Sequence, residues 1–350
     1  MELFQEGRIK FFAVDKQTRS ARVFFNPIRS FDRDMNVLFF KALGKKSLSG
    51  IDLFAGSGIR GLRLAAETNA FASMEINDVK TSKTIEKNVK LNKSVLKAKV
   101  SVSHNDAMSI FSSQKGYDYL DIDPFGSPVK YMMQAVPKVK YGGVLSITAT
   151  DTAALYGKAR KACELKYGAK SFRTSYFNEI GLRILIRRAE EIANIYGRSI
   201  RPLFFDVRKH YVRVYLSVGK PDISRKMGFV YQCLSCPART IGKYRDKCAY
   251  CSEHMVEIGP LWLDKLFDRQ LVKRMSSYAE DEKAREYLSA MGCESDEVSY
   301  YTTDEMSSYL KQKEMKIDSI GVRTVLNEKG FRTSGDIAEI IAQSERLELP

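Results

Sequence analysis

Five short apolar runs, at residues 50–54, 71–77, 98–102, 117–122 and 142–149, alternate with segments such as 59–68 and 81–92 whose apolar residues recur at helical spacing. Runs of this length predict strands, and strands that alternate with helices predict a parallel sheet, because each parallel pairing needs a crossover that carries the chain back to its starting edge. Two further runs, 201–207 and 210–218, have only Arg208 and Lys209 between them, so they should pair antiparallel at the sheet edge. The expected class is therefore α/β, with seven mostly parallel strands and an antiparallel terminal hairpin. Residues 178–196 read as one long amphipathic helix. Pro221 and the polar stretch after it mark a boundary between 1–225 and a smaller α+β segment, 226–350. That segment holds a cysteine-rich element at about 229–256 and helical patterns near 260–275, 278–291 and 303–315.

At 350 residues and 44% hydrophobic content the chain can bury more than one core, which excludes disorder. No run approaches the roughly 18 apolar residues of a membrane span, and MELFQEGRIKFF lacks the apolar centre of a secretory signal. A cytoplasmic protein without a membrane partner is expected, and a monomer is the expectation for its oligomeric state. The net charge is +15, unevenly placed. Residues 1–225 carry 39 Lys and Arg against 21 Asp and Glu, whereas 226–350 carry 18 against 21. A polyanionic partner at the first segment accounts for this surplus, and so does a merely solvated basic surface. Lys158, Arg160, Lys161, Lys166, Lys170 and Arg173, interleaved with Tyr156, Tyr167 and Phe172, suit RNA phosphates and bases, although a charged helix face looks the same.

Cys233, Cys236, Cys248 and Cys251 form a C-x2-C-x11-C-x2-C array. Each pair can present two thiolates to one cation, and two pairs close a tetrahedral, structural zinc shell. An iron site or redox disulfides are the competing readings, the second disfavoured by a reducing compartment. Cys163 and Cys293 stand alone.

Where the first strand meets the first helix lies Asp52-Leu-Phe-Ala-Gly56-Ser-Gly58-Ile-Arg60-Gly61, a G-x-G-x-x-G turn. Such glycines let a ligand reach the backbone at a helix N-terminus. Dinucleotide and S-adenosylmethionine sites share this geometry, and Glu75 and Asp78 both fall near the distance of a ribose ligand. At the end of the fourth strand stands Asp121-Ile-Asp123-Pro124-Phe125-Gly-Ser-Pro128. As sequence this is good turn chemistry. In a methyl-transfer site the acid, the rigid turn and the ring take separate roles: Asp123 and the Pro124 carbonyl accept from an exocyclic amine, and Phe125 stacks on its base. A carboxylate is acceptor-only. It matches the adjacent N1–H and N2–H2 donors of guanine and meets a lone pair at N1 of adenine.

These segments resemble a known family. Together with Phe24-Phe-Asn-Pro27, Asp32-Arg33-Asp34, Asn77-Asp78, Thr150-Asp-Thr152, Tyr167-Gly-Ala-Lys170, Asn178-Glu-Ile-Gly-Leu-Arg183, Gly321-Val-Arg-Thr324 and Gly330-Phe-Arg-Thr333, they resemble the tRNA (guanine-N2) dimethyltransferases acting on the guanine at tRNA position 26, in a compact archaeal form with a cysteine-rich zinc element. The resemblance covers nearly the whole chain, with Val325 where many members have His. It implies an enzyme with a class I methyltransferase sheet, an S-adenosylmethionine donor and a tRNA partner. For the donor site it implies Asp52, Gly56 and Gly58 at the turn, Asp78 on the ribose, Asp106 and the Ala107 amide at the adenine edge, and Arg33 or Arg60 near the carboxylate. Phe24 would sandwich the target base with Phe125, although Phe24 also reads as an ordinary core residue and Arg60 as a solvated one. The implied reaction is in-line methyl transfer to N2 of a flipped guanine, with zinc structural and the 226–350 segment binding tRNA. A ribosomal RNA methyltransferase acting on guanine N2 or adenine N6 would use the same fold and loop, and nucleoside analysis of tRNA separates it. A non-catalytic tRNA-binding protein with a vestigial donor site is the reading outside enzymes, and a titration with S-adenosylmethionine separates that one.

Overall fold

The computed structural model describes residues 1–14, 25–311 and 320–347, with side chains as far as residue 343. Strands β1 (Glu2–Glu6) and β2 (Ile9–Ala13) form a hairpin, and helix α1 (Ser30–Leu43) follows the Pro27–Arg29 turn. The chain then alternates through β3 (Leu48–Asp52), α2 (Ile59–Glu67), β4 (Phe71–Asn77), α3 (Ser82–Leu91), β5 (Lys99–Ser103), α4 (Ala107–Ser112), β6 (Tyr117–Ile122), α5 (Val129–Ala135) and β7 (Val139–Ala149). Helices α6 (Thr152–Leu155), α7 (Arg160–Tyr167) and α8 (Phe177–Ile195) lead to β8 (Ser199–Arg208) and β9 (Tyr211–Gly219).

Seven strands make one sheet in the order β5-β4-β3-β6-β7-β9-β8. The first five named are mutually parallel; β9 runs antiparallel between β7 and β8, the expected hairpin. Near-continuous burial along β6 and β7 is what a parallel sheet covered on both faces requires. The order runs outward from β3 to β5, then reverses to place β6 against the other side of β3. Connections leave in opposite directions at that reversal and open a crevice at the carboxyl ends of β3 and β6, the place where open α/β sheets bind ligands.

The hairpin β1-β2 is held by side-chain amides of α3. Asn88 and Asn92 each accept from and donate to a β2 peptide, at Phe12 and Lys10, and so satisfy backbone groups that lack a sheet neighbour.

Beyond the mostly exposed stretch 220–226, strands β10 (Met227–Cys233), β11 (Arg239–Ile241) and β12 (Met255–Trp262) form a three-stranded antiparallel sheet. The chain continues through α9 (Arg269–Tyr278), α10 (Glu282–Cys293), β13 (Tyr301–Thr302), α11 (Thr303–Leu310), β14 (Val322–Thr324), β15 (Asn327–Arg332) and α12 (Ile337–Leu347). The helical pattern expected near 260–275 is corrected: residues 260–262 end β12, whose pairing with β10 decides their conformation, and the helix starts only at Arg269, capped by Asp268.

This second part is fastened to α8 by buried polar contacts. Asn178 donates to the Leu326 carbonyl at 2.8 Å, Arg183 to the Trp262 carbonyl at 2.8 Å, and Glu179 pairs with Arg332 at 2.8 Å. A Cβ on Gly181 would meet the Tyr156 ring at 2.8 Å. The motif Asn178-Glu-Ile-Gly-Leu-Arg183 is thus a docking strip.

Candidate active site

The glycine turn is built by its neighbours. Gly56 and Gly58 take φ of +59° and +81°, open to glycine without strain. Asp78 accepts from the Gly56 amide at 3.0 Å and from the amides of Lys80 and Thr81, and the Thr81 hydroxyl donates to the Gly56 carbonyl. A Cβ on Gly61 would lie 2.9 Å from Ile76, so the third glycine lets α2 approach β4. Asn77, buried, donates to the carbonyls of Leu53 and Asn105 and ties three strand-end loops together. Of the two ribose candidates, Glu75 is engaged by Lys115, Ser103 and Tyr117, whereas Asp78 sits in the loop itself. Asp106 caps α4 through the Met108 amide and is exposed beside buried Ala107.

The Asp123–Pro128 loop leaves β6 across the crevice from Asp52. Gly126, at φ +83°, is clamped to the end of β7: its amide donates to the Thr150 hydroxyl at 2.7 Å and its carbonyl accepts from the Thr150 amide at 2.9 Å. Pro124 is buried, and Phe125 is 57% exposed at the mouth. Phe24 lies outside the described residues.

Below this loop lies a cluster of three arginines and four aspartates. Arg60 reaches Asp32 at 2.7 Å, Asp123 at 3.1 Å and Asp121 at 3.4 Å. Arg213, fully buried on β9, pairs with Asp121 at 2.7 Å and Asp32 at 3.2 Å. Arg29 bridges Asp32 and Asp123, each at 2.7 Å. Burial alone would raise the Asp123 carboxyl; Arg29, then Arg60 and Arg213, outweigh it and hold the group below the usual carboxylate range. Asp52 is the contrary case: buried, beside Asp121 and Asp123, it is pushed up to about 7, and its Oδ2 has no hydrogen-bond partner in the structure. A buried oxygen of this kind is unsatisfied until a donor or a cation arrives.

The arginine assignments divide. Arg60 is buried at the crevice floor rather than solvated. Arg33 is held by Glu6 through two short contacts, and its guanidinium lies over the Phe25 ring. Sequence reasoning gave no role to Arg29, Asp121 and Arg213. The available signal was a charge inside an apolar strand, as in Tyr-Leu-Asp-Ile and Val-Arg-Val-Tyr, which must find a buried partner.

The basic run lies beside the Asp123–Pro128 loop. Asp151, next to the Thr150 clamp, accepts from the Tyr167 hydroxyl at 2.6 Å and pairs with Lys166 at 3.1 Å, and Lys170 pairs with Glu257. Arg160 lies over Phe172 and Arg173 over Phe177. A cleft of about 610 Å³ is lined by residues 157–162. Among the described residues Lys158 and Lys161, both exposed, have no ion-pair partner.

The four cysteine sulfurs gather within 4.8 Å of one another, with separations of 3.4, 3.5 and 3.7 Å among three of the pairs. Tetrahedral zinc with bonds of about 2.3 Å has sulfur–sulfur edges of roughly 3.8 Å. The donor set fits that ion. The amides of Ser235 and Tyr250 donate to Cys233 and Cys248, as C-x2-C turns do when they direct sulfur inward.

Comparison with known proteins agrees along the whole chain. The tRNA (guanine(26)-N(2)/guanine(27)-N(2))-dimethyltransferase of Aquifex aeolicus is 31% identical over 381 aligned positions, spanning 99% of this chain and 96% of the relative. The tRNA (guanine(26)-N(2))-dimethyltransferase of Archaeoglobus fulgidus is 34% identical over 80% of this chain and 79% of its own. Among solved structures, Trm1 from Pyrococcus horikoshii in complex with S-adenosyl-L-methionine superposes with a TM-score of 0.87 at 25% identity, covering 98% of this chain and 99% of that one. The model of the N2,N2-dimethylguanosine tRNA methyltransferase family matches residues 7–340, and the chain belongs to that family.

Proposed function

We propose that the protein transfers methyl groups from S-adenosylmethionine to the exocyclic N2 of the guanine at tRNA position 26, in two rounds. The observation that carries this reading is the anionic, acceptor-only Asp123 on a clamped loop beside an exposed Phe125, across the β3–β6 crevice from the glycine turn. The donor supplies an electrophilic methyl on a sulfonium. Gly56, Gly58 and Asp78 would hold its ribose side, Asp106 and the Ala107 amide its adenine, and Asp52 its cationic end. Arg60 would lie near the donor carboxylate; Arg33, committed to Glu6, is the weaker candidate. A guanine stacked within a tRNA junction reaches that methyl only when flipped, and Phe125 with Phe24 would receive it. Asp123 and the Pro124 carbonyl hold the amine protons, leave the N2 lone pair aimed at the methyl, and stabilise the charge that develops as the N2–methyl bond forms and the methyl–sulfur bond breaks. The donor leaves as a neutral thioether, and the surplus N2 proton passes by way of Asp123 to solvent. Nucleoside analysis of position 26 after incubation of unmodified tRNA with the enzyme and donor tests the reading: no N2-methylguanosine there defeats it.

Residues 1–225 would form the catalytic domain and 226–350 a tRNA-binding part braced by a structural zinc ion on Cys233, Cys236, Cys248 and Cys251. The donor set and the sulfur spacing support that assignment. Among the described residues no helix is long and apolar enough to cross a membrane. On the same proposal the protein acts on tRNA in the cytoplasm, as a monomer.

Two expected results follow from the charges. Asp52 should ionise to receive the donor, whose α-ammonium and sulfonium are both positive. A carboxyl raised to about 7 is protonated below that pH, so donor affinity should rise from pH 6 to about 7.5, and Asp52→Asn should bind more weakly without this acid limb. Calorimetry across that range checks it; a flat wild-type profile counts against the role. Second, tRNA affinity should fall steeply with salt, with a log–log slope of about −0.7 to −0.9 per phosphate contact. Charge reversal at Lys158 and Lys161 should flatten the slope more than reversal at Lys166, which Asp151 already neutralises in part. Equal slopes in all variants would remove the α7 face from the RNA footprint.

A further inference from the structure

We infer that Arg29 occupies the guanine seat on Asp123 before the base arrives, so that the target is selected by exchange of one guanidine group for another. This rests on the reading that Asp123 receives the guanine edge. Arg29 ends the Pro27–Arg29 turn and places Nη1 2.9 Å from Asp123 Oδ1 and 2.7 Å from Oδ2, while Nη2 lies 2.7 Å from Asp32. It is the outermost of the three cations: its side chain is 13% exposed, against 8% for Arg60 and 0% for Arg213. The donor found on Asp123 Oδ1 is Arg29, whereas Oδ2 is also reached by Arg60.

The chemistry of the two occupants is the same. The N1–C2–N2 unit of guanine is a guanidine that presents N–H donors side by side, as the arginine fork does to a carboxylate. When guanine enters, Asp123 keeps Arg60 as its countercharge, and Arg29 keeps Asp32 and its place over the Tyr211 ring. No buried charge is left without a partner. Adenine cannot complete this exchange, because its N1 offers a lone pair where Asp123 has just lost a donor, and a buried group left unpaired is costly. Arg29 is thus a specificity-determining residue that acts by opposing every base without two adjacent donors.

The experiment is single-turnover methylation of unmodified tRNA by wild type, Arg29→Ala and Arg29→Met, with millimolar guanidinium chloride against potassium chloride of equal ionic strength. Calorimetry with S-adenosylmethionine shows that each variant is folded, and Met preserves the apolar stem should Ala not fold. The expected result is that guanidinium enters the vacated seat and slows both variants several-fold while leaving wild type little changed, and that the variants discriminate less than wild type against a tRNA with adenine at position 26, because adenine no longer has to displace a donor from Asp123. Guanidinium that accelerates the variants would mean that Arg29 assists transfer directly, and guanidinium that affects neither would mean that the seat is not shared; either result overturns the inference. Asp123→Ala separates the role of Asp123 from the exchange at Arg29. Wild-type transfer by that variant defeats the acceptor reading itself, whereas an inactive Asp123→Ala together with Arg29 variants indifferent to guanidinium defeats only the exchange.

Discussion

Asp123→Ala and Asp123→Asn are expected to bind S-adenosylmethionine almost normally and to lose about two orders of magnitude or more in transfer rate, the usual scale for a positioned acid–base or electrostatic group. In the proposed mechanism the carboxylate does two things that neither replacement can do: it would accept from two adjacent donors, and it would face the positive charge that grows on N2. Asn keeps the shape but turns one acceptor into a donor that opposes the guanine edge. Removal of a buried charge could unfold the cluster instead, and the charge inventory argues against that outcome. Asp123 leaves behind Arg29, Arg60 and Arg213 with Asp32, Asp121 and Asp52. Burial, then Asp121 and Asp123, raise the Asp52 carboxyl, so loss of Asp123 favours its ionisation and offsets part of the lost charge. Single-turnover methylation with calorimetric donor binding is the measurement. Near wild-type transfer by the Ala variant removes Asp123 from the mechanism, and near wild-type transfer by Asn alone shows that shape suffices.

The sheet was legible because its causes are local. Each strand is a short apolar run, each crossover carries its own periodicity, and the gap between 207 and 210 admits only a turn. Helix α1 was not legible for the opposite reason: its buried face carries Asp32, Arg33 and Asn36, so the apolar stripe that announces a helix is interrupted where the cluster needs charge. Residues 260–262, the end of β12, were read as helix because Gly-Pro-Leu-Trp shows neither period clearly, and a distant partner, β10, decides their conformation.

The same division runs through the site. The glycine turn and the Asp123 loop stand out in sequence because a backbone of unusual φ and a turn with an exposed ring each demand particular residue types at fixed spacing. The ion cluster does not stand out. Asp32, Asp121 and Arg213 come from α1, β6 and β9, and only the fold reveals that they share one buried volume. The glycine turn and the Asp123 loop were readable, and the ion pairs that hold Asp123 below the usual carboxylate range were not.

The zinc prediction has the other large expected effect, and the packing says what should be lost. Structural zinc in small peptides is bound with roughly 10–16 kcal/mol, and because no such shell exists in the unfolded chain this is folding energy. Here the cysteines belong to a second, smaller core: Cys233, Cys236 and Cys248 pack with Met306, Ile320, Phe331, Ile337 and Ile340, apart from the main cluster. The main cluster includes Val230, Ile258 and Trp262, so β10 and β12 are fastened to the catalytic sheet independently of the metal. Cys248→Ser, or chelation of the wild type, should therefore melt the residues around the shell at a lower temperature as a separate calorimetric transition, weaken tRNA binding, and spare the affinity for S-adenosylmethionine. Elemental analysis should find about one zinc per chain. A protein without metal, or a Cys248→Ser variant with an unchanged melting profile, would show that the four sulfurs meet for a reason other than a cation; simultaneous loss of donor binding would show that the two cores fold as one.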